Sequence, residues 1–108
     1  MDSEKGLKFK GNKPRAGTVI NVFPKAIMAI GECIREGAKK YPDPNNWKKV
    51  ENAEVEYFDS LGRHLCYFNM GEELDYEDNL PHLAHAAWNA LAILELYLTK
   101  TNYQFPKK

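Results

Sequence analysis

Apolar residues recur at helical spacing in three stretches of the chain. The first stretch predicts a helix from about residue 24 to 40, with a stripe formed by Ile27, Ile30, Ile34 and Tyr41. The second predicts a helix over residues 51–70, with a stripe formed by Phe58, Leu61, Leu65 and Phe68. The third predicts a helix from an Asn79 cap to about residue 100, with a stripe formed by Leu83, Ala87, Leu91, Leu94 and Leu98. The pattern therefore predicts an all-α fold, a small bundle of three main helices.

The third predicted helix is apolar on nearly all sides. A helix of this kind is normally central to a bundle or buried between subunits. A protomer of three helices that ends in such a helix is expected to form a homo-oligomer, with two-fold symmetry as the commonest arrangement.

The residues that precede the first helix have a different pattern. Residues 1–22 contain scattered glycines, alternating charge and one β-like run, "TVINVF", and predict an extended basic arm with at most one short strand. The expected organisation is this arm, a helical domain over residues 23–101 and a tail over residues 102–108. A chain of 108 residues is of the usual size for a single domain with one core.

Composition and charge narrow the range of partners. Apolar residues make up 44% of the chain, which is typical of a folded globular protein. Lys and Arg total 15 and Asp and Glu total 15, so the chain lacks the overall positive field that holds long nucleic acids. Cys33 and Cys66 lack metal-ligand spacing, and the sequence has no apolar run of membrane-spanning length. These features predict a reduced cytoplasmic protein with no membrane partner.

Polar residues on the third helix are the first candidates for chemistry. His82, His85 and Asn89 follow at offsets of three, four and seven, so they share one side of the helix, away from the leucine stripe. Packing therefore does not require them on that side. Arg63 and His64 lie beside the stripe of the second helix, where a third histidine can face the same space.

Carboxylates accompany these histidines. Glu32 and Glu36 are four residues apart on the first helix, and an acidic run, "GEELDYED", precedes the third helix. Ionised carboxylates with neutral imidazoles are typical ligands of divalent cations. The same acids, Asp75, Glu77 and Asp78, can instead favour the start of the third helix through its dipole. Periodicity leaves both interpretations open, and each histidine taken alone is also compatible with simple packing.

Several phrases of the sequence resemble a known family when taken together and in order. They are "GLKF" and "GNKPR", then "GECIREGAKKY" with "NNW", then "GRHLCYFNMGEELDYEDNLPHLAHAAWNALAILEL". Over most of residues 6–97 the chain resembles the small phage family described as dATP/dGTP diphosphohydrolase amino-terminal domains, which is related to the MazG-like all-α nucleotide pyrophosphohydrolases. The MazG-type E-x-x-E and E-x-x-D pairs are replaced here by Glu32-x-x-x-Glu36 and Glu72-x-x-Asp75.

The resemblance implies metal-dependent hydrolysis of dGTP or dATP to the monophosphate and pyrophosphate, in the cytoplasm of an infected bacterium. It implies a divalent cation, Mg²⁺, Mn²⁺ or Co²⁺. Candidate ligands are Glu32, Glu72, Asp75, Glu77, His82 and His85, and candidate catalytic residues are Glu32, His64, Asp75, Glu77, His82 and His85. Candidate nucleotide-binding residues are Lys13, Arg15, Lys39, Lys40, Tyr41, Trp47, Arg63 and Asn89.

Two other classes of function fit the same sequence. One is a phage nucleotide-binding protein without turnover, which would sequester a nucleotide or a cyclic-nucleotide immune signal. The other is a structural or interaction protein whose histidines are packing groups. Small size and a predicted oligomer suit both.

Overall fold

A computed structural model describes residues 6–8 and 11–107 of the chain. Within these residues the regular structure is helical, apart from an isolated bridge between Leu74 and Pro81. The helices, in chain order, are α1 (Ala16–Val22), α2 (Pro24–Lys40), a 3₁₀ turn (Asn46–Lys49), α3 (Ala53–Asn69) and α4 (His82–Lys100). The all-α prediction is confirmed.

The sequence predicted the three main helices closely. Pro24 occupies the first turn of α2, and the helix ends at Lys40, immediately before the proline-containing loop. α3 ends at Asn69, and Gly71 follows with a φ of 101°, a conformation that glycine adopts without strain. The prediction that Asn79 caps α4 is wrong, because Asn79 lies in a left-handed turn and the helix begins after Pro81.

The expected short strand in the arm is wrong, because "TVINV" forms most of α1 instead. The arm has no strand beside it within the described residues, so a strand there would leave its backbone groups without ladder partners. A helix pairs these groups within the segment itself. The part of the predicted arm over residues 1–5 and 9–10 lies outside the described residues.

α3 and α4 form an antiparallel pair. His64 of α3 contacts His82 at the start of α4, and Glu54 near the start of α3 accepts a hydrogen bond of 3.2 Å from Lys100 at the end of α4. α2 packs across the first turns of α4, where Cys33, Leu80 and Ala84 form a buried cluster. The loop between α3 and α4 is therefore enclosed on one side by α2.

The interior of the described chain is small. Its buried apolar residues are mostly of low volume: Cys33, Leu80, Ala84, Ala86 and Ala92. The predicted stripes were assigned to the core, but several of their members are exposed in the protomer, among them Ile34, Phe58, Leu65, Leu83, Leu91 and Leu94. The small interior is completed by an aromatic cluster formed by Trp47, Tyr57 and Trp88.

Among the described residues, no single helix is long and apolar enough to cross a membrane. The consecutive helices α1 and α2 reach that length and apolarity only as a pair, which is bent by 96°.

Candidate metal and nucleotide site

The polar side of α4 is its inner side. His82 is only 2% exposed, and Asn89 is also buried, whereas Leu83 and Leu94 on the opposite side remain about half exposed. The prediction that packing does not require these polar residues is therefore wrong. Polar side chains are stable in an interior when they are hydrogen-bonded, and the loop before α4 supplies the partners.

The loop at residues 70–81 holds two aspartates rigidly. Asp75 Oδ1 accepts a hydrogen bond from the backbone N–H of Glu77, and Asp78 Oδ1 accepts one from the N–H of Leu80, each at 2.9 Å. These are Asx turns, in which the side chain fixes its own loop. In both aspartates one carboxylate oxygen is thus structural, and the other, Oδ2, is directed toward a histidine.

The second oxygens lie beside imidazole nitrogens. Asp78 Oδ2 is 2.7 Å from His85 Nε2, and Asp75 Oδ2 is 4.0 Å from His64 Nδ1. The acids therefore face the histidines, and none of them lies in the first turn of α4. The contacts of the two aspartates with histidines go beyond a role at the start of the helix, and cation binding by the acidic loop stays a prediction.

His64 contacts the imidazoles of both His82 and His85. His64 Nδ1 lies 2.8 Å from His82 Nδ1, and the His64 ring stacks on His85 with centroids 4.8 Å apart. Tyr67 stacks on the other side of His82 at 5.3 Å. The helix positions predicted that a third histidine can face this space, and the structure brings His64 there.

Glu72 fixes the orientation of His82. Its Oε2 lies 2.6 Å from His82 Nε2, on the side of the ring away from His64. A carboxylate accepts hydrogen bonds only, so His82 carries its proton on Nε2 and presents an unprotonated Nδ1 to the cluster. Glu72 was predicted as a direct metal ligand, and here it contacts the outer nitrogen of a candidate ligand.

The electrostatics of the cluster favour a neutral His64. Burial lowers the pKa of His64, the neighbouring His85 and His82 lower it further, and Asp75 opposes the shift. A neutral imidazole has a lone pair that can bind a cation or accept a proton. At neutral pH His64 is therefore in the form that either role needs.

Two sets of side chains are close enough to hold a metal ion. His64, Asp75 and His82 form the first set, and Asp75, Asp78 and His85 form the second, with the ligand atoms of each set within 4.8 Å of one another. Asp75 belongs to both sets. The two sets thus form a single cluster across α3, the loop and α4.

The first set fits a small divalent cation. Around a cation with bonds of about 2.1 Å, neighbouring ligand atoms are roughly 3 to 3.5 Å apart and opposite ones about 4.2 Å apart. The separations of 2.8 Å between the imidazole nitrogens and 4.0 Å from His64 to Asp75 are close to these values. Nitrogen and carboxylate donors also suit Mn²⁺, Co²⁺ and Zn²⁺, while Mg²⁺ prefers oxygen.

The remaining predicted acids lie at the edge of the cluster or outside it. Glu77 is exposed, and only its backbone N–H takes part in the loop. Glu32 is exposed on α2 next to the buried Cys33, whose pKa is raised to about 11 by burial, with Asp78 and Glu32 adding to the shift. Glu32 belongs to neither candidate ligand set among the described residues.

The predicted nucleotide-binding residues are spread over the surface. Lys13 and Arg15 precede α1, whereas Lys39 and Lys40 end α2, and Lys39 forms an ion pair of 2.8 Å with Glu36. Arg63 is exposed beside His64 on α3, which places it nearest to the cluster in sequence.

Aromatic and amide candidates are divided between surface and interior. Tyr41 is exposed, and Trp47 belongs to the aromatic cluster, where the Tyr57 hydroxyl donates a hydrogen bond of 2.5 Å to the Trp47 carbonyl. Asn89 is buried and donates a hydrogen bond of 2.8 Å to the His85 carbonyl. Asn89 therefore supports the backbone at His85.

Two members of the site were not predicted as site residues. Asp78 was considered only as part of the acidic loop, for which cation binding and a role at the start of the helix both stayed open, and Tyr67 was not considered. Tyr67 lies three residues after His64, which is the helical spacing that places both on one side of α3. Asp78 gave a weaker signal, because its role depends on the turn that directs Oδ2 back to His85.

Comparison with known proteins identifies the family of the chain. No curated protein and no solved structure matches the chain. A family model described as dATP/dGTP diphosphohydrolase, N-terminal, matches residues 3–104, which include every residue of the cluster. The chain therefore belongs to the dATP/dGTP diphosphohydrolase N-terminal family.

Proposed function

We propose that this protein hydrolyses purine deoxynucleoside triphosphates, dGTP or dATP, to the monophosphate and pyrophosphate with the help of a divalent cation. The family description supports a diphosphohydrolase. The observation that carries the proposal is the convergence of three imidazoles and two aspartates from α3, the loop and α4, with Asp75 common to both candidate ligand sets.

In the proposed mechanism His64, Asp75 and His82 would hold the cation. Asp75 would contribute its Oδ2, and the two histidines would contribute the Nδ1 atoms that face each other. When bound, the cation neutralises phosphate charge and lowers the pKa of a water molecule. Glu72 keeps the His82 Nδ1 unprotonated and directed into the site, so the ligand set is oriented before substrate arrives.

His85 is the proposed general base for the attacking water. Asp78 accepts the Nε2–H of His85, which leaves Nδ1 as the basic nitrogen of this ring. A carboxylate behind a histidine also stabilises the imidazolium that forms when the ring takes a proton. Asn89 supports this histidine by its hydrogen bond to the His85 carbonyl.

Arg63 is the proposed contact for the substrate phosphates. Arg63 is exposed and directly precedes His64 on α3. A guanidinium pairs with phosphate oxygens through two parallel hydrogen bonds. Glu32 and Glu77, both exposed, are proposed as further ligands only once substrate is bound.

The direct test is product analysis with purified protein. Each of the four deoxynucleoside triphosphates is incubated with Mg²⁺, Mn²⁺ or Co²⁺, and nucleotide and phosphate products are separated by chromatography. The proposal requires a purine monophosphate and pyrophosphate in equal amounts. Release of inorganic triphosphate and nucleoside, or of single phosphates, would assign a different hydrolase reaction.

A matched pair of variants locates the reaction. Asp75→Asn removes a charged ligand, and we expect at least a hundredfold loss of kcat, whereas Asp59→Asn changes an exposed carboxylate on α3 and should leave it unchanged. If the wild-type protein binds intact nucleotide tightly but hydrolyses none with any of these metals, it is a nucleotide-sequestering protein and the enzyme hypothesis is wrong. The expected setting, the cytoplasm of an infected bacterium, stays a prediction.

A further inference from the structure

Tyr67 of α3 lies against the most deeply buried histidine of the cluster. Its ring stacks on His82 with centroids 5.3 Å apart and an angle of 27° between the two planes. His82 is 2% exposed, whereas Tyr67 is 44% exposed. The phenol ring therefore covers one face of the imidazole, while part of the phenol itself stays accessible to solvent.

The position of Tyr67 follows from the spacing of α3. Tyr67 comes three residues after His64, so both side chains lie on the side of the helix that faces α4. His64 contacts the Nδ1 edge of the His82 ring, and Tyr67 lies against the face of the same ring. One helix therefore restrains the His82 imidazole in two directions.

The backbone of Tyr67 also holds Glu72, the hydrogen-bond partner of His82. The Glu72 N–H donates a hydrogen bond of 3.0 Å to the Tyr67 carbonyl. The Gly71 N–H donates one of 3.0 Å to the Phe68 carbonyl, and Gly71 has a φ of 101°. This pair of bonds around a glycine is a Schellman motif, which turns the chain back at the end of a helix. Glu72 thus leaves α3 at a point from which its Oε2 lies 2.6 Å from His82 Nε2.

The two contacts of Tyr67 come from its ring and its backbone. The ring stacks on His82, and the carbonyl accepts the Glu72 N–H, so neither contact requires the phenol hydroxyl. Phenylalanine at this position keeps both contacts. Leucine keeps the backbone contact and loses the aromatic ring, so the pair of substitutions separates the ring from the hydroxyl.

We propose that Tyr67 is a positioning residue for His82. Its ring restricts rotation of the imidazole and keeps water away from the hydrogen bond between His82 and Glu72. A functional side chain keeps one geometry only when packing and hydrogen bonds lock its rotamer. The effect of Tyr67 on metal binding rests on the proposed function, whereas its effect on the His82 ring in the metal-free protein does not.

The first test is proton exchange at His82 in the metal-free full chain. NMR of ¹⁵N-labelled protein in EDTA reads the Nε2–H of His82, which should be protected from exchange with water in the wild type. Tyr67→Leu should raise the exchange rate of this proton at least about tenfold, because water then reaches the hydrogen bond. Tyr67→Phe should keep the wild-type rate.

Phe68→Leu is the matched control. Phe68 is the next residue of α3 and is 41% exposed, close to the value for Tyr67, so the same loss of an aromatic ring occurs at similar burial. It should leave the exchange rate at His82 unchanged. An equal increase in Tyr67→Leu and Phe68→Leu would show a general loosening of α3 and would overturn the role of Tyr67.

Two further results of this experiment would overturn the proposal. An exchange rate in folded Tyr67→Leu equal to that of the wild type would show that the ring does not protect the hydrogen bond. An increase in Tyr67→Phe as large as in Tyr67→Leu would assign the effect to the hydroxyl. If Tyr67→Leu does not fold, nuclear Overhauser effects in the wild type decide the case: they should join the ring protons of Tyr67 and His82, and their absence would contradict the stacking.

The second test is the affinity for Mn²⁺, measured by isothermal titration calorimetry. Tyr67→Leu should weaken binding at least about tenfold, as expected when a contact that orients a ligand histidine is lost, and Tyr67→Phe should restore the wild-type affinity. Wild-type affinity in Tyr67→Leu would contradict the positioning role. A wild-type chain that binds no divalent cation would instead overturn the metal-dependent proposed function, and the exchange rates would still decide the role of Tyr67.

Discussion

His64 Nδ1 lies 2.8 Å from His82 Nδ1, across the contact between α3 and α4. Glu72 accepts a hydrogen bond from His82 Nε2–H, so His82 Nδ1 carries no proton. In the metal-free protein His64 Nδ1–H therefore donates the hydrogen bond and His82 Nδ1 accepts it. If His64 and His82 bound a cation through these nitrogens, the cation would displace the Nδ1 proton of His64, so cation binding would compete with that proton. The pair is a contact between two helices and part of the candidate metal site.

The contact from Glu72 to His82 predicts an effect on metal affinity. Glu72→Gln removes the carboxylate that orients His82, and we expect Mn²⁺ affinity to fall about 10 to 100-fold. Isothermal titration calorimetry of the purified chain with Mn²⁺ measures this affinity. Glu73→Gln is the control, because the Glu73 side chain is exposed and only its carbonyl contacts the His82 N–H. Equal losses in the two variants would show a general charge effect instead.

The lowered pKa of His64 predicts how stability depends on pH. Its pKa in the folded chain lies below the ordinary value of 6.5, so the unfolded chain binds more protons as pH falls from 6.5 toward the folded value. The free energy of unfolding of the metal-free protein should therefore be highest above that window and decrease as pH falls through it.

Urea unfolding of the protein in EDTA, at steps of about one pH unit from about pH 5 to 8, measures this dependence. His64→Gln removes the titrating group, and the slope of stability against pH should become smaller. An unchanged slope in the variant would assign the dependence to other groups.

The buried thiol gives a prediction about reactivity. Burial raises the pKa of Cys33 to about 11, with Asp78 and Glu32 adding to the shift, so little thiolate forms at pH 8. In a Cys66→Ala protein, which leaves Cys33 as its one thiol, iodoacetamide should modify the native chain at least tenfold more slowly than the chain in urea. Equal rates would mean that α2 does not stay packed against Leu80 and Ala84.

Some of the fold could be predicted because its signals are local. Pro24 and the prolines after Lys40 restrict their own backbone, so the bounds of α2 follow from the sequence alone. The strand expected at "TVINV" failed because β propensity depends on a neighbouring strand, which this part of the chain lacks within the described residues.

The orientation of α4 could not be predicted from periodicity. Helical spacing correctly separated His82, His85 and Asn89 from the leucines, but polarity alone assigned the leucines to the interior. His82 and His85 lie on the inner side of α4 because Glu72 and Asp78 accept their hydrogen bonds. Those contacts depend on how the loop before α4 folds. The leucines Leu83, Leu91 and Leu94 lie on the exposed side of the helix.

Trp47 is a candidate nucleotide-binding residue by the chain's resemblance to the family, and its position in the structure predicts a packing role instead. Its ring centroid lies 6.0 Å from that of Trp88 and 6.3 Å from that of Tyr57, in edge and tilted arrangements that stabilise aromatic clusters. Trp47→Ala should reduce the free energy of unfolding by about 2 kcal/mol and leave the KM for nucleotide nearly unchanged. Thermal melts and steady-state kinetics on the same sample measure both.

Tyr41→Ala is the comparison, because Tyr41 is exposed and its removal should leave the melting temperature unchanged. A Trp47→Ala protein with wild-type stability and a raised KM would restore the base-stacking role, since an aromatic ring that only packs the core cannot change substrate affinity without changing the fold.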